Sequence, residues 1–261
     1  MMKQCPICLS QQRFYFREIV LRKYNVDYFY CDTCGLLQTE KPYWLDEAYQ
    51  SAIASADTGL IQRNIRLSKL LSCVLFFLFD PQGRYLDIGG GYGLLTRLLR
   101  DTGFDSYWSD PFCKNLFAQG FEASTSNSPF DAITAFEVLE HIYNPLEFIQ
   151  TAIKEASAST IIFSTELFHI SPPACNAWDY YAFNTGQHIS FYQNKTLEYL
   201  AKTLSLSLFS HNNFHILTDR DIHPIAFRLM TSRLAEVLNH YVSRRMISKT
   251  LADHKTLMQF P

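Results

Sequence analysis

Short apolar runs separated by polar, glycine- or proline-bearing turns dominate the middle of the chain. Arg84-Tyr85-Leu86-Asp87-Ile88 predicts a strand that ends in glycines, and Leu94 to Arg100 predicts a helix stopped by Asp101-Thr102-Gly103. Ser106 to Ser109 predicts a second strand closed by Asp110-Pro111. Phe130 to Phe136 and Thr160 to Ser164 predict two more, with a helix from Pro145 to Ala156 between them and proline in its first turn. The apolar stretch Leu70 to Phe79 reads as a buried helix leading into this core, and another helix is expected from Thr196. Such alternation over residues 58–210 predicts a doubly wound α/β domain with a Rossmann-like sheet. Past residue 215, Ile225, Leu229, Leu234, Val237 and Leu238 recur close to a 3.6 period, which predicts helices. The first 45 residues differ from both regions, being rich in Cys, Tyr and Phe. Three segments are therefore expected, 1–45, 46–213 and 214–261, with no internal repeat.

Length and charge narrow the function classes. A chain of 261 residues holds one large domain or a domain with a small appendage, and a 48% apolar share suits a buried core. A net charge of −2 argues against a general nucleic-acid or membrane-surface binder. Arg244, Arg245 and Lys249 form only a modest cluster, as a solvated helix face does. Leu70 to Phe79 is about half of the ~20 residues a membrane span needs. Met1-Met2-Lys3-Gln4-Cys5 carries no apolar run after its charge, so no signal peptide and a cytoplasmic location are expected. Nothing in these numbers fixes the oligomeric state.

Two Cys-x-x-Cys knuckles, Cys5-Pro6-Ile7-Cys8 and Cys31-Asp32-Thr33-Cys34, supply four thiolates at the spacing of a zinc ribbon. Four thiolates leave no open position, so a structural zinc is expected. Redox chemistry is the rival, but it uses one such pair opening a helix. Cys73, Cys113 and Cys175 are dispersed and read as packing residues. The aromatic residues around the knuckles pack the small segment, cover an acceptor, or stack nucleic-acid bases.

The glycines after Ile88 follow the pattern Asp87-x-Gly89-x-Gly91-x-Gly93, whereas a dinucleotide turn starting at Gly89 would need glycine at Leu94. This pattern resembles the first motif of class I S-adenosylmethionine (SAM)-dependent methyltransferases. The resemblance implies that Asp87, Gly89, Gly91 and Gly93 surround the amino-acid end of SAM, and that Asp110, at the end of the second strand, takes the ribose hydroxyls. Phe136-Glu137-Val138-Leu139-Glu140-His141-Ile142-Tyr143-Asn144-Pro145 is similar to the signature after the fourth strand in a subgroup acting on small molecules, which implies that Glu137 lines the site. For the adenine amine, Ser126 and Asn127 lie where a contact could arise. The bland alternatives are a connecting turn for the glycines, and local caps or ion pairs for Glu137 and Glu140.

Gly186-Gln187-His188-Ile189-Ser190-Phe191-Tyr192 resembles the acceptor-side element of the same subgroup, including sugar C-methyltransferases in which the matching histidine is thought to be the general base. Those proteins usually carry Glu before the histidine, where this chain has Gln187. The resemblance implies His188 as the base, with Tyr181 and Tyr192 beside the acceptor. His169, His211 and His215 are isolated and need no special role. The expected activity is methyl transfer from SAM to a small-molecule acceptor, for which the family context suggests a sugar or surface-glycan precursor. The sugar enzymes carry a second large α/β lobe after the catalytic domain, whereas about fifty residues follow that domain in this sequence. The competing class is a non-catalytic module, a zinc ribbon on a SAM fold that contacts nucleic acid or protein.

Overall fold

The structure is a computed structural model describing residues 3–50, 57–124 and 129–259. Ser126 and Asn127 lie outside the described residues. Among the described residues no helix is long and apolar enough to cross a membrane.

Two sheets organise the chain. In the first, β1 (Lys3–Gln4), β2 (Gln11–Val20), β3 (Tyr24–Tyr30) and β4 (Leu37–Thr39) pair antiparallel in sequence order, and β4 then pairs with β9 (Ser190–Phe191). β9 thus covers the outer side of β4, whose N–H and C=O groups would otherwise stand unpaired at an edge. The second sheet has the order β10 (Ser207–His211), β11 (Phe214–Thr218), β8 (Thr160–Ser164), β7 (Ala132–Ala135), β5 (Arg84–Ile88), β6 (Asp105–Ser109). Its β5 runs parallel to both β6 and β7, while β10 and β11 form an antiparallel hairpin. That hairpin falls outside the periodic patterns read from the sequence. Its two-residue loop, Asn212-Asn213, has Asn212 at a φ of 52°, the backbone that tight hairpin turns require and that Asn tolerates.

Contacts divide the chain into two compact units. The first comprises Met1–Ala54, Phe136–Ala152 and Phe163–Asp219. Its core gathers Val20, Tyr28, Leu37, Trp44, Tyr181 and Phe191, and α1 (Leu45–Ala48) and α5 (Asn194–Leu204) belong to it. The second comprises Ser55–Ala135, Ile153–Ile162 and Arg220–Pro261. It contains α2 (Leu60–Leu78), which buries Leu71, Cys73, Val74 and Leu75, and α3 (Leu94–Thr102), α6 (Pro224–Met230), α7 (Leu234–Arg245) and α8 (Thr250–Leu257). The helix α4 (Pro145–Ala156) runs across the division of the chain.

Within the second unit, the C-terminal helices brace the segment that follows the glycine turn. The guanidinium of Arg100 on α3 donates to both carboxylate oxygens of Asp253 on α8, at 2.8 and 2.7 Å, and also to Asp105 and the Ser106 carbonyl. Both partners are buried. A buried guanidinium needs this fork geometry and full set of acceptors, because desolvating an unmatched charge costs several kcal/mol.

Candidate functional site

The glycine turn lies wholly in the second unit. β5 delivers Asp87 into the interior, where its carboxylate accepts from Thr134 Oγ1 at 2.7 Å and Thr96 Oγ1 at 3.4 Å. Gly89, Gly91 and Gly93 adopt φ of 67°, 54° and 85°, and Gly93 caps α3. Only glycine takes these left-handed conformations without strain. Gly90 is required for a different reason. A Cβ there would sit 2.7 Å from Cδ1 of Trp108 and 2.9 Å from an Asp87 oxygen. Trp108 also locks the turn by donating from Nε1 to the Gly91 carbonyl at 2.9 Å.

The electrostatics of this turn discriminate between ligands. Its Gly89 and Gly90 N–H groups both point at the Ser109 carbonyl, and the Gly91 N–H donates to Asp110 at 2.9 Å. Three donors that would cradle a phosphate are thus spent inside the protein. Burial pushes the Asp87 carboxyl up to about 7, opposed by its threonine hydrogen bonds and reinforced by the negative charge of Asp110. A buried carboxyl beside a second carboxylate repels a diphosphate and favours a cation. SAM carries a sulfonium and an ammonium, so the residues present fit it better than a nicotinamide dinucleotide. Asp110 is already organised, since one oxygen accepts from the Phe112 and Cys113 N–H groups at 2.7 and 2.8 Å while the other takes Gly91. A carboxylate has about four lone-pair sites. One therefore remains, on the oxygen bound by Gly91, for a hydroxyl.

In the first unit, the two motif segments that are far apart in sequence are stitched together. The Ile189 N–H donates to the Glu140 carbonyl at 2.8 Å, Ser190 Oγ to the Ile142 carbonyl at 2.7 Å, and Tyr192 Oη to the Leu139 carbonyl at 2.6 Å. Nδ1 of His141 bonds the Gln187 carbonyl at 3.1 Å, with the Tyr49 hydroxyl 3.0 Å away. Nδ1 of His188 bonds the Tyr180 carbonyl at 2.6 Å. A carbonyl only accepts, so His188 carries its proton on Nδ1 and leaves a lone pair on Nε2, whereas Nδ1 of His141 is shared between a carbonyl and a hydroxyl that can itself donate. The two rings lie edge to face with centroids 4.9 Å apart. Burial holds both below the ordinary histidine range, His141 as far as about 3, with His188 as a further cause there. Hydrogen bonding to Tyr180 and the charges of Glu137 and Glu166 partly restore His188.

Glu137 follows the end of β7 and has a φ of 55°, a strained conformation for a non-glycine residue. Ser164 holds it there, accepting from its N–H at 2.8 Å and donating to its carboxylate at 2.6 Å. The Gln187 amide donates to the Ala48 carbonyl at 2.8 Å, a bond that an ionised glutamate could not make. Tyr181 and Tyr192 are both buried, with hydroxyls committed to the Pro173 and Leu139 carbonyls. The aromatic neighbour of His188 is instead Tyr180, with ring centroids 4.6 Å apart and its hydroxyl against Thr165 Oγ1 and the Glu166 N–H. Sequence reasoning passed over Tyr180 because it stands in a run with Tyr181, and nothing local tells the two phenols apart.

The four knuckle cysteines also meet in the first unit. Their sulfurs all lie within 4.8 Å of one another, with Cys5–Cys34 at 3.5 Å and Cys8–Cys31 at 3.3 Å. A zinc tetrahedron of thiolates at ~2.3 Å spaces its sulfurs by ~3.8 Å, so the cluster is compatible with zinc. The knuckles share one geometry. Cys5 and Cys31 carbonyls accept from Leu9 and Gly35, and their N–H groups donate to Ser10 and Leu36. Leu9 and Gly35 both have positive φ. At Gly35 the φ of 79° is what favours glycine, and a Cβ there would also press on the side-chain ends of Gln193 and Lys195. Hydrogen bonding from Cys34 draws the Cys5 thiol down to about 5 and pushes Cys34 up, and burial raises Cys31 to about 11. Four sulfurs gathered this closely, three of them buried, are the donor set of a metal-binding cluster.

Residues 61–210 match the model of a family described as a methyltransferase domain. Among solved structures, TnmH matches with 16% identity and a TM-score of 0.46, over 68% of this chain and 60% of its own. A SAM-dependent methyltransferase from Thermotoga maritima, described as a possible histamine N-methyltransferase, matches with 15% identity and a TM-score of 0.38, over 62% and 92%. PigF with SAH matches with 16% identity and a TM-score of 0.47, over 70% and 63%. The chain thus covers about three fifths of the length of TnmH. No curated protein matches the sequence.

Proposed function

Because the chain belongs to the family of SAM-dependent methyltransferase domains that its residues 61–210 match, we propose that it transfers the SAM methyl group to a small-molecule acceptor, a sugar or surface-glycan precursor. The observation that carries this reading is the turn of the second unit, where Asp87 and Asp110 present negative charge and the glycine N–H groups are spent internally. Asp87, Gly89, Gly91 and Gly93 hold the amino-acid end of SAM, and Asp110 takes a ribose hydroxyl. SAM supplies a methyl group on a sulfonium that leaves as a neutral thioether. The protein's part is to align the acceptor and to remove its proton where the acceptor needs it.

His188 is the proton acceptor in this reading. The Tyr180 carbonyl fixes its tautomer and leaves Nε2 with a lone pair at neutral pH. Tyr181 and Tyr192 shape the wall behind it. Zinc on Cys5, Cys8, Cys31 and Cys34 is structural, and the cytoplasm, where thiols stay reduced, is the compartment that suits it. Isothermal titration of the zinc-loaded protein with SAM and S-adenosylhomocysteine tests the reading. Asp110→Ala should weaken both ligands at least tenfold, and His188→Ala should bind SAM as wild type does while losing transfer. Folded protein that binds neither ligand would overturn the proposal, all the more so if it bound RNA or DNA with a steep salt dependence.

A further inference from the structure

One side-chain cluster in the first unit is not accounted for by a lone base. A Glu140 carboxylate oxygen and one ring nitrogen each of His141 and His188 lie within 4.8 Å of one another. From this geometry we propose that Glu140, His141 and His188 form a second metal site, for a divalent cation such as manganese, cobalt or zinc, distinct from the four-cysteine cluster.

Three features of the side chains support it. The first is the donor set. Two imidazoles and one carboxylate are a ligand combination for divalent first-row cations, and three protein ligands leave positions open for acceptor oxygens. The second is the way the rings are held. Metal-ligating histidines donate their other ring N–H to a carbonyl or carboxylate, which fixes the tautomer and turns the lone pair towards the ion. Both rings are anchored at Nδ1 by a carbonyl, His188 by that of Tyr180 and His141 by that of Gln187, with the Tyr49 hydroxyl also at His141 Nδ1. The third is burial. Glu140 is wholly buried, and its carboxylate lies with the two imidazoles inside the fold. Two imidazoles beside a buried carboxylate gather three donor side chains in one place.

The backbone keeps the ligands in register. The Ile189 N–H bonds the carbonyl of Glu140 itself, so the segment carrying His188 is tied to the segment carrying the other two ligands. Such pre-organisation lowers the cost of assembling a site from parts distant in sequence. The proposal rests on the methyltransferase reading only in its consequence. Without the ion, Nε2 of His188 is a proton acceptor. With the ion, that lone pair is a ligand, and the cation becomes the group that acidifies an acceptor hydroxyl, which points to acceptors that bind through oxygen.

Cobalt distinguishes the two metal sites by spectroscopy, because thiolate ligands give an intense charge-transfer band and a nitrogen–oxygen set gives only weak d–d bands. Zinc-loaded protein, with the cysteines filled, is titrated with Co2+ and separately with Mn2+ by calorimetry. The expected result is one further equivalent of each, without a thiolate band. His188→Gln and Glu140→Gln should weaken that equivalent at least tenfold, with zinc content unchanged. Folded wild-type protein that takes up no ion beyond the zinc would overturn the proposal, and this outcome does not depend on any variant folding. Binding that persists in both variants, or that shows a thiolate band, would overturn it as well. SAM titration of the same samples keeps the outcomes separate, since SAM binding without a second ion sinks the metal site and leaves the methyltransferase reading in place.

Discussion

Replacing Asp87 by Asn should make the ligand-free protein more stable at neutral pH, and the size of the effect follows from its burial. The Asp87 carboxyl rises from an ordinary 3.8 to about 7 in the folded chain, because burial disfavours the charged form. A carboxyl with a raised folded pKa binds more protons folded than unfolded between those two values. Stability therefore falls as pH rises from about 4 to about 7 and stays level above that, the reverse of a salt-bridged aspartate. At 1.36 kcal/mol per unit, the full cost is about 4 kcal/mol above pH 7. Asparagine fills the same volume and keeps an acceptor for the Thr134 hydroxyl, but it has no charge to bury. The stability gap between Asp87→Asn and wild type should open by about 4 kcal/mol between pH 4 and pH 8, or roughly 10 °C in Tm for a protein of this size. Chemical denaturation of ligand-free protein at four or five pH values measures the gap directly. Parallel curves for the two proteins across that range would refute the argument. Saturating SAM should close much of the gap, since a bound cation stabilises the ionised carboxylate. Calorimetry at pH 7 should then show release of about half a proton on SAM binding, falling to roughly a tenth at pH 8, the protonated fractions expected of a group with a pKa of about 7.

Four further outcomes are expected. Gln187→Glu should destabilise the fold by about 1–3 kcal/mol at neutral pH, because it replaces the donor to the Ala48 carbonyl with a buried acceptor; denaturant unfolding measures this, and recovery at acid pH would confirm the cause. Asp253→Ala should cost about 3–5 kcal/mol by leaving Arg100 buried without its main partner, which thermal unfolding would show. Gly93→Ala combines a φ of 85° with a Cβ 2.7 Å from Asn115 Oδ1 and 3.1 Å from the Ala118 backbone. It should weaken SAM binding at least tenfold in a titration. Cys8→Ser should abolish stoichiometric zinc in elemental analysis and lower Tm, because the knuckle loops lose their common ligand.

What was legible in the sequence was local. The strand Arg84–Ile88, the helix that starts at Leu94 and the helix Pro145–Ala156 stand where periodicity put them, because each is bounded by residues that act on their own backbone. The two cysteine knuckles were legible for the same reason, since their spacing is set within four residues. The hairpin Ser207–Thr218 carried a signal too, Asn212-Asn213 between apolar runs, but with no glycine to mark it. The ladder joining residues 139–142 to 187–192 carried none. Its bonds run from side chains or N–H groups to carbonyls some fifty residues away, and a carbonyl has no identity in a sequence.

The same distinction explains the two places where residue types alone mislead. A glycine-rich turn read from sequence is a row of N–H donors offered to a ligand. In the fold, Ser109 and Asp110 take three of those donors, so what the turn presents is negative charge and not a row of N–H groups. Likewise Tyr180 and Tyr181 are equivalent as letters. Their short helical turn, Asp179–Tyr181, points successive side chains about 120° apart, which sends Tyr181 into the aromatic core with Phe16, Tyr28 and Phe191 and leaves Tyr180 against His188. Removal of the Tyr180 hydroxyl, as Tyr180→Phe, frees Thr165 Oγ1 and the Glu166 N–H but leaves the carbonyl that orients His188. If the backbone carbonyl is what sets the imidazole, Tyr180→Phe should keep the His188 tautomer seen by nitrogen NMR. A change of tautomer in that variant would show instead that the phenol sets it through Thr165 and Glu166.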